Sequence, residues 1–149
     1  MLFRSAKSIL NQDNFYNIKI FGVFDENELD TRFIKANIKR YLAKESIQIN
    51  EVKFMDFFYM GDLVKVVEYY ISEKEPPKEY DCVYSETPPT LTGLSCIIND
   101  LDKYKVKVFV GNEDGEPYIS KYPSTLPIEF IGLEEGIKLT YNKLKNEAN

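Results

Sequence analysis

The sequence predicts an α/β protein with parallel strands, and the segment 18–24 carries most of this prediction. It is almost continuously apolar and β-prone, which is typical of a strand covered on both faces, as in a parallel sheet. Asp25, Asn27 and Asp30 then end the strand, and a helix follows. Ligands of open α/β sheets bind just beyond the carboxyl ends of such strands, which here means residues 24–27. A buried strand followed by an ordinary polar turn would give the same pattern.

Two further helices and three further strands are predicted along the chain. A helix at 31–44 begins after Asp30 as N-cap, and a short strand at 46–50 follows. Gly61-Asp62 starts the next helix, with Asp62 as its N-cap. Residues 80–84 form a short buried strand parallel to 18–24, and 105–110 alternate like a half-exposed strand. The apolar face predicted for the helix after Asp62 consists of Leu63, Val66, Val67, Tyr70 and Ile71.

The two ends of the chain and the segment after Pro88 and Pro89 are also predicted to be helical. A helix at 3–12 would have an apolar face of Phe3, Ala6, Ile9 and Leu10. Thr90 caps a helix whose inward positions are Leu91, Leu94, Ile97, Ile98 and Leu101. The last helix runs from 133 to about 145, with acids in its first turn and lysines in its last.

Composition limits the class of protein. The 149 residues suffice for one domain, 1–149, and 44% hydrophobic with 29% charged residues is typical of a globular chain. A net charge of −5 gives no basic field to attract nucleic acid or an anionic membrane. No signal peptide and no apolar run of about 20 residues is evident. We therefore expect a cytoplasmic protein in which Cys82 and Cys96, both in apolar surroundings, are reduced core thiols.

Several kinds of chemistry are absent from the sequence. The chain has no histidine, which excludes Ser-His and Cys-His nucleophile pairs and most catalytic zinc sites. Its seven glycines are scattered, and neither a Gly-x-Gly-x-x-Gly motif nor a P-loop occurs. Glu113, Asp114 and Glu116 lack the ligand spacing of a calcium loop, so we interpret them as a solvated turn. No metal site is predicted.

The helix at 31–44 carries a concentration of positive charge that is unusual on an acidic protein. It contains five basic residues and no acid, namely Arg32, Lys35, Lys39, Arg40 and Lys44. One interpretation is an anion site for a diphosphate, because guanidinium groups match phosphate oxygens in geometry. The alternative is an ordinary basic face exposed to solvent.

Three segments resemble those of extended short-chain dehydrogenases, the family of NAD-dependent nucleotide-sugar epimerases and dehydratases. Phe3-Arg4-Ser5-Ala6-Lys7 is similar to the Tyr-x-x-x-Lys helix motif, with Phe3 in place of the tyrosine. Lys19-Ile20-Phe21-Gly22 resembles an Arg-x-Phe-Gly or Arg-x-Phe-Asn segment. The stretch from Met55 to Leu63 resembles Arg-Asp-Phe-x-Tyr-x-x-Asp-x. By order and spacing, nearly the whole chain is similar to the C-terminal half of such an enzyme, beginning at the catalytic helix.

The resemblance implies the C-terminal strands of a Rossmann-like, doubly wound sheet with a small α+β subdomain for the substrate. It assigns Lys7 to the catalytic site, although Lys7 viewed alone is a surface lysine, and Phe3 has no ionisable oxygen to transfer a proton. NAD or NADP is the family's cofactor, but without the N-terminal half we expect none to bind this chain alone. Met55 stands where many relatives have an arginine on the diphosphate. The substrate-binding residues implied are Asn27, Arg32, Lys35, Arg40, Asp56 and Tyr59.

Two functions from different classes follow as hypotheses. The first is the substrate-binding half of a nucleotide-sugar epimerase or dehydratase, inactive as this isolated chain. The second is a truncated or degenerate binding module without catalysis, and an unrelated α/β module remains a third possibility. We also expect the strand at 18–24, without the neighbours it has in the family, to expose an edge. The sequence therefore predicts a homodimer or a swapped arrangement through 18–24 and 3–12, or association with a missing N-terminal half. The competing hypothesis is a monomer whose N-terminal helix folds back over this edge.

Overall fold

A computed structural model describes residues 13–147, which form six strands and four helices. The predicted helix at 3–12, with Phe3 and Lys7, lies outside the described residues. The elements in chain order are β1 (Asn17–Lys19), β2 (Val23–Phe24), α1 (Phe33–Leu42), β3 (Ile47–Glu51), β4 (Phe58–Tyr59), α2 (Met60–Ser72), β5 (Glu79–Asp81), α3 (Leu91–Asn99), β6 (Val108–Asn112) and α4 (Leu133–Glu147).

All six strands pair in parallel, which confirms the predicted fold class. They form three two-stranded pairs, β1 with β5, β2 with β4 and β3 with β6. Ile18 lies opposite Tyr80, so the predicted parallel pairing between these two regions is confirmed. Parallel strands require crossover connections, and helices α1, α2 and α3 lie in the intervening segments.

The single strand predicted at 18–24 is wrong in detail, because the chain changes partners within it. β1 pairs with β5, whereas β2 pairs with β4. Between them Ile20 is 43% exposed. Gly22 lies so close to its neighbours that an added Cβ would be 3.1 Å from the Asp56 carbonyl oxygen. The Gly22 carbonyl accepts a hydrogen bond from the Phe58 amide at 2.7 Å. The segment is therefore a crossing between two strand pairs.

The core lies in two clusters of apolar side chains. The larger one joins α1, α3, α4 and β3 and includes Phe24, Ile38, Leu94 and Ile137. The smaller one surrounds Phe58 and packs α2 against β5 and the segment 126–130. Burial of Leu91, Leu94 and Ile98 and the bond from the Gly93 amide to Thr90 Oγ1 at 3.1 Å confirm the predicted helix after Pro89.

The face predicted for the helix after Asp62 is partly wrong. α2 begins at Met60, two residues before the predicted N-cap, and Asp62 is fully buried within its first turn. Leu63, Val66 and Tyr70 pack inward as predicted, but Val67 and Ile71 are exposed. The backbone partners of Asp62, the Ile131 and Gly132 amides, lie on the segment before α4, and Tyr84 Oη is its third donor.

Two surface predictions are also corrected. Cys82 is buried as predicted, but Cys96 is exposed, because it lies on the outer face of α3. The predicted half-exposed strand at 105–110 is observed as β6, and all five of its residues are exposed. No helix or strand of the described residues covers its outer face.

The N-cap position of helix α1 is Arg32 rather than the predicted Asp30, and Glu28 satisfies one backbone donor of the first turn. Glu28 Oε1 accepts from the Lys35 amide at 3.1 Å, which satisfies a donor in the first helical turn. Asp30 instead pairs with Lys35 and Lys39. The helix ends at Leu42, earlier than predicted, because Lys44 adopts a left-handed conformation with φ 58°.

Burial of Glu28 predicts a pH-dependent stability. Burial raises the pKa of its carboxyl from 4.5 to about 7. The folded state holds this proton more tightly than the unfolded chain does. The resulting stabilisation of the folded state is fully present below pH 4.5 and is lost as the pH rises through 7. We expect Glu28→Gln, which keeps the acceptor for the Lys35 amide, to raise the free energy of unfolding at about pH 8 by about 1 kcal/mol.

Urea denaturation at several pH values measures this effect. Wild type should lose stability relative to Glu28→Gln between pH 4.5 and pH 7. The matched control is Glu45→Gln, an exposed glutamate beyond the end of α1, which should run parallel to wild type. A difference in the free energy of unfolding between Glu28→Gln and wild type that stays constant over this pH range would contradict the prediction.

Candidate anion-binding cavity beside helix α1

The basic residues of α1 lie on two different edges of the helix. Lys35 Nζ is 2.9 Å from Asp30 Oδ1, and Lys39 Nζ is 2.6 Å from Asp30 Oδ2. Lys35 Nζ also donates to the Glu28 carbonyl at 2.7 Å. These two lysines line a cavity with Leu144 and Glu147 of α4, and one carboxylate offsets half of their charge. Arg32 and Arg40 lie on the adjoining edge, which faces β3.

Arg32 and Arg40 line one cavity between α1, β3 and the segment that follows β3. The cavity has a volume of about 490 Å³, within the usual range of small-molecule sites. The spacing of four residues from Arg32 to Ala36 to Arg40 places these positions on one helix face. Neither arginine forms an ion pair within residues 13–147, so both guanidinium groups can bind an anion. The remaining lining residues are Asp30, Thr31, Phe33, Asn37, Gln48, Asn50, Glu51, Lys53, Met55, Phe57 and Leu91.

Lys53 is a functional candidate that the sequence analysis missed. It lines the same cavity, where its ammonium group pairs with Glu51. Met55, which replaces the arginine expected from the resemblance, lines the cavity as well. Alternation along an extended segment places residues 53 and 55 on one face. If the alternation of β3 is continued past its end, Lys53 and Met55 fall on the same face. This pattern would have indicated Lys53 as a cation near the position of Met55.

The wall between α1 and β3 is fixed by two reciprocal hydrogen bonds. Asn37 Nδ2 donates to the Gln48 carbonyl at 3.0 Å, and the Gln48 amide donates to Asn37 Oδ1 at 2.9 Å. Asn37 is 1% exposed. These bonds hold the helix that carries Arg40 at a fixed position beside β3.

Asp56 lies at a second cavity of about 610 Å³, on the other side of Phe57. It is buried, and its Oδ2 accepts from the Ser120 amide at 2.7 Å. Ser120 Oγ donates to Asp81 Oδ2 at 2.6 Å, so one serine links two buried carboxylates. Burial raises the pKa of Asp56. The segment around residue 120 had little sequence signal, and neither Ser120 nor Asp81 was a candidate.

Asn27 and Tyr59 lie away from both cavities. The Asn27 amide donates to Asp25 Oδ1 at 2.8 Å within an exposed turn. Tyr59 is buried, and its ring packs so closely on α4 that a Cβ at Gly136 would lie 2.8 Å from ring Cγ. Burial raises the pKa of its hydroxyl. The structure thus brings together Arg32 and Arg40 but not Asn27, Lys35, Asp56 or Tyr59, and the predicted roles of all six stay predictions.

Residues 13–147 contain neither a membrane-spanning helix nor a metal-binding cluster. No helix there is both long and apolar enough to cross a bilayer. The same residues hold no cluster of three acidic, cysteine or histidine side chains that could bind a metal ion.

Comparison with known proteins shows a likeness in structure alone. Neither a protein-family model nor a curated protein sequence matches the chain. An NAD-dependent NDP-hexosamine 5,6-dehydratase of tunicamycin biosynthesis matches 97% of this chain and 51% of its own, with a TM-score of 0.70 and 15% identity. The Thermus thermophilus UDP-glucose 4-epimerase complex with NAD matches 95% of this chain and 50% of its own, with a TM-score of 0.65 and 14% identity.

The Bacillus cereus UDP-glucuronic acid 4-epimerase in complex with UDP-glucuronic acid and NAD matches 89% of this chain and 45% of its own. Its TM-score is 0.64 at 13% identity. The chain therefore has the fold of part of these Rossmann-like enzymes and spans about half of their length. This extent is consistent with the C-terminal half that the sequence resemblance predicts.

Proposed function

We propose that this chain is the substrate-binding half of an NAD-dependent nucleotide-sugar epimerase or dehydratase. The cavity beside α1 would bind the diphosphate of the nucleotide sugar. One observation carries the proposal: Arg32 and Arg40 line one cavity and form no ion pair within residues 13–147, whereas the neighbouring Lys35 and Lys39 are paired. Unpaired guanidinium groups that converge on a cavity are suited to phosphate oxygens.

Lys53 would supply a hydrogen-bond donor near the position of Met55, because its pair with Glu51 carries no net charge. It lies on the strand side of the cavity, whereas Arg32 and Arg40 lie on the helix side. A diphosphate held between them would have donors on two sides. Its pairing with Glu51 leaves the ammonium group two further hydrogens to donate.

Binding is better supported than catalysis. Phe3 has no group that could transfer a proton, and the cradle motif for a dinucleotide is absent from the 149 residues. A binding module without its own catalysis therefore remains the alternative function. Lys7, Asn27, Lys35, Asp56 and Tyr59 take their proposed roles from the sequence resemblance, and the cavity argument does not depend on them.

Arg40→Ala should weaken binding of a nucleoside diphosphate about tenfold, because a charge-assisted hydrogen bond to phosphate contributes about 1.5–3 kcal/mol. Isothermal titration of wild type with UDP, and then with UDP-, GDP- and dTDP-sugars, measures the affinity. The affinity should fall with rising salt, since part of it is electrostatic. Thermal unfolding with and without each ligand gives a second measurement.

Lys138→Ala is the matched control, because it removes the same charge at an exposed lysine of α4 that does not line this cavity. It should bind the diphosphate as wild type does. Equal losses in Arg40→Ala and Lys138→Ala would indicate a non-specific effect of charge. Absence of binding to wild type at millimolar concentration would leave α1 with an ordinary basic face.

A further inference from the structure

The sheet formed by β3 and β6 has one closed edge and one open edge. The outer edge of β3 is closed by Asn37, which bonds both the amide and the carbonyl of Gln48. β6 has β3 as its only strand neighbour among residues 13–147. Unpaired strand edges are templates for pairing with another chain unless charge, proline or a covering element blocks them.

The register shows which backbone groups of β6 are available. The Ile47 amide donates to the Lys107 carbonyl at 2.9 Å, and Val108 and Val110 lie opposite Ile47 and Ile49. Backbone groups alternate between the two edges of a strand. The amides and carbonyls of Val108 and Val110 therefore point to the open edge, whereas those of Phe109 face β3.

The centre of this edge is apolar, and it is open to solvent. Phe109 is 66% exposed, and the flanking Val108 and Val110 are also exposed. An open strand edge with three consecutive exposed apolar residues is typical of an interaction site.

The two flanks of β6 carry opposite charges. Lys103, Lys105 and Lys107 precede the apolar centre, and Glu113, Asp114 and Glu116 follow it. Lys107 has no ion-pair partner in the described part of the chain, and the same holds for Glu113. Lys105, by contrast, already pairs with Asp100. A strand with this charge pattern is complementary to an antiparallel copy of itself, because the basic flank of one meets the acidic flank of the other.

We propose that β6 binds β6 of a second copy of this chain in antiparallel orientation, which joins two two-stranded sheets into one of four strands. With Phe109 at the twofold axis, Val108 lies opposite Val110 of the partner copy, so that the outward backbone groups of both strands pair. Lys107 then lies diagonally across from Glu113 of the other copy. This surface is distinct from the 18–24 edge, and it does not depend on the nucleotide-sugar proposal.

The contact is small, so we expect a concentration-dependent dimer with a dissociation constant of about 10–100 μM. Sedimentation velocity from about 1 μM to about 500 μM should show the mass rising from 17.4 kDa toward twice that value. Phe109→Lys places two ammonium groups against each other at the axis and should weaken association at least about tenfold. Because Phe109 is exposed, the variant should unfold at the temperature of wild type.

Charge exchange tests the orientation of the two strands. Lys107→Glu and Glu113→Lys should each weaken association about threefold to tenfold, and the double exchange should restore it. The two residues are six positions apart on an extended strand, so they cannot pair within one chain. Lys121→Glu is the matched control, because it changes the net charge as Lys107→Glu does but at an exposed lysine on another segment. It should associate as wild type does.

Three outcomes decide the matter. Association that is weakened in the single charge variants and in Phe109→Lys but restored in the double exchange supports the antiparallel β6 contact. A wild-type chain that stays monomeric over the whole concentration range overturns it. A dimer that is insensitive to Phe109→Lys also overturns it, and would direct attention to the 18–24 edge.

Discussion

Asp62→Ala should lower the free energy of unfolding by about 3–5 kcal/mol, the largest effect we expect from any single polar substitution. The carboxylate is fully buried and accepts three hydrogen bonds from distant parts of the chain. The donors are the Ile131 amide at 2.8 Å, the Gly132 amide at 2.9 Å and Tyr84 Oη at 2.6 Å. Alanine would leave all three donors without an acceptor in a dry environment.

The same substitution should loosen the segment before α4. Gly132 has a φ of 89°, a left-handed conformation that favours glycine, and its amide is held by Asp62. Tyr84 Oη also accepts from the Tyr59 amide at 3.0 Å, so this hydroxyl connects β4 to α2. Loss of Asp62 therefore disturbs the start of α4 together with the β4–α2 junction.

Urea denaturation of Asp62→Ala, Tyr84→Phe and Asp100→Ala separates the contributions. Tyr84→Phe removes one of the three bonds and should cost about 1–2 kcal/mol, mainly because the Tyr59 amide also loses its acceptor. Asp100→Ala, at an exposed carboxylate that pairs with Lys105, should change stability by less than about 0.5 kcal/mol. A cost below about 1 kcal/mol for Asp62→Ala would mean that the cluster is not a major source of stability.

Asp62 and Thr90 show why one predicted cap was wrong and the other was confirmed. Thr90 bonds the amide of Gly93, three residues away, so the local sequence contains both partners. The backbone partners of Asp62 lie near residue 131, and no local pattern links positions so far apart in the chain. Sequence periodicity identified the buried positions of α3, but it does not show which distant segment a buried carboxylate will bind.

The candidate site also has features that the sequence predicts and features that only the folded structure shows. The concentration of positive charge on α1 was visible in the sequence, and the structure retains it. Its separation into a paired edge and an open edge depends on where Asp30 lies after the turn, which is a property of the folded loop. Ser120 and Asp81 were missed because their hydrogen bond joins two segments that have no sequence motif.

The exposed β6 shows a third kind of limit. Alternation at 105–110 predicted a strand, and the strand is present, but the same alternation predicted one buried face. Burial depends on whether another element covers the strand. Within residues 13–147 none does, so valines at alternate positions face solvent.

Asn37→Ala should cost about 2–4 kcal/mol, because it removes the acceptor and the donor that satisfy both backbone groups of Gln48. Asn37 is almost fully buried on α1, so water cannot easily replace its amide. The substitution also loosens the wall that positions Arg40, and we expect weaker binding of a nucleoside diphosphate in addition to lower stability.

Asn37→Asp and Gln48→Ala make this prediction specific to the backbone bonds. An ionised carboxylate at position 37 can accept a hydrogen bond from the Gln48 amide. It has no hydrogen to donate to the Gln48 carbonyl, which accepts from Asn37 Nδ2 in wild type. Its pKa should be raised in the folded state, so the variant should be most stable at low pH and should lose stability as the pH rises. Gln48→Ala keeps both backbone groups and should cost less than about 1 kcal/mol. Equal costs for Asn37→Ala and Gln48→Ala in urea denaturation would show that contacts of the side chains, rather than closure of the β3 edge, account for the stability.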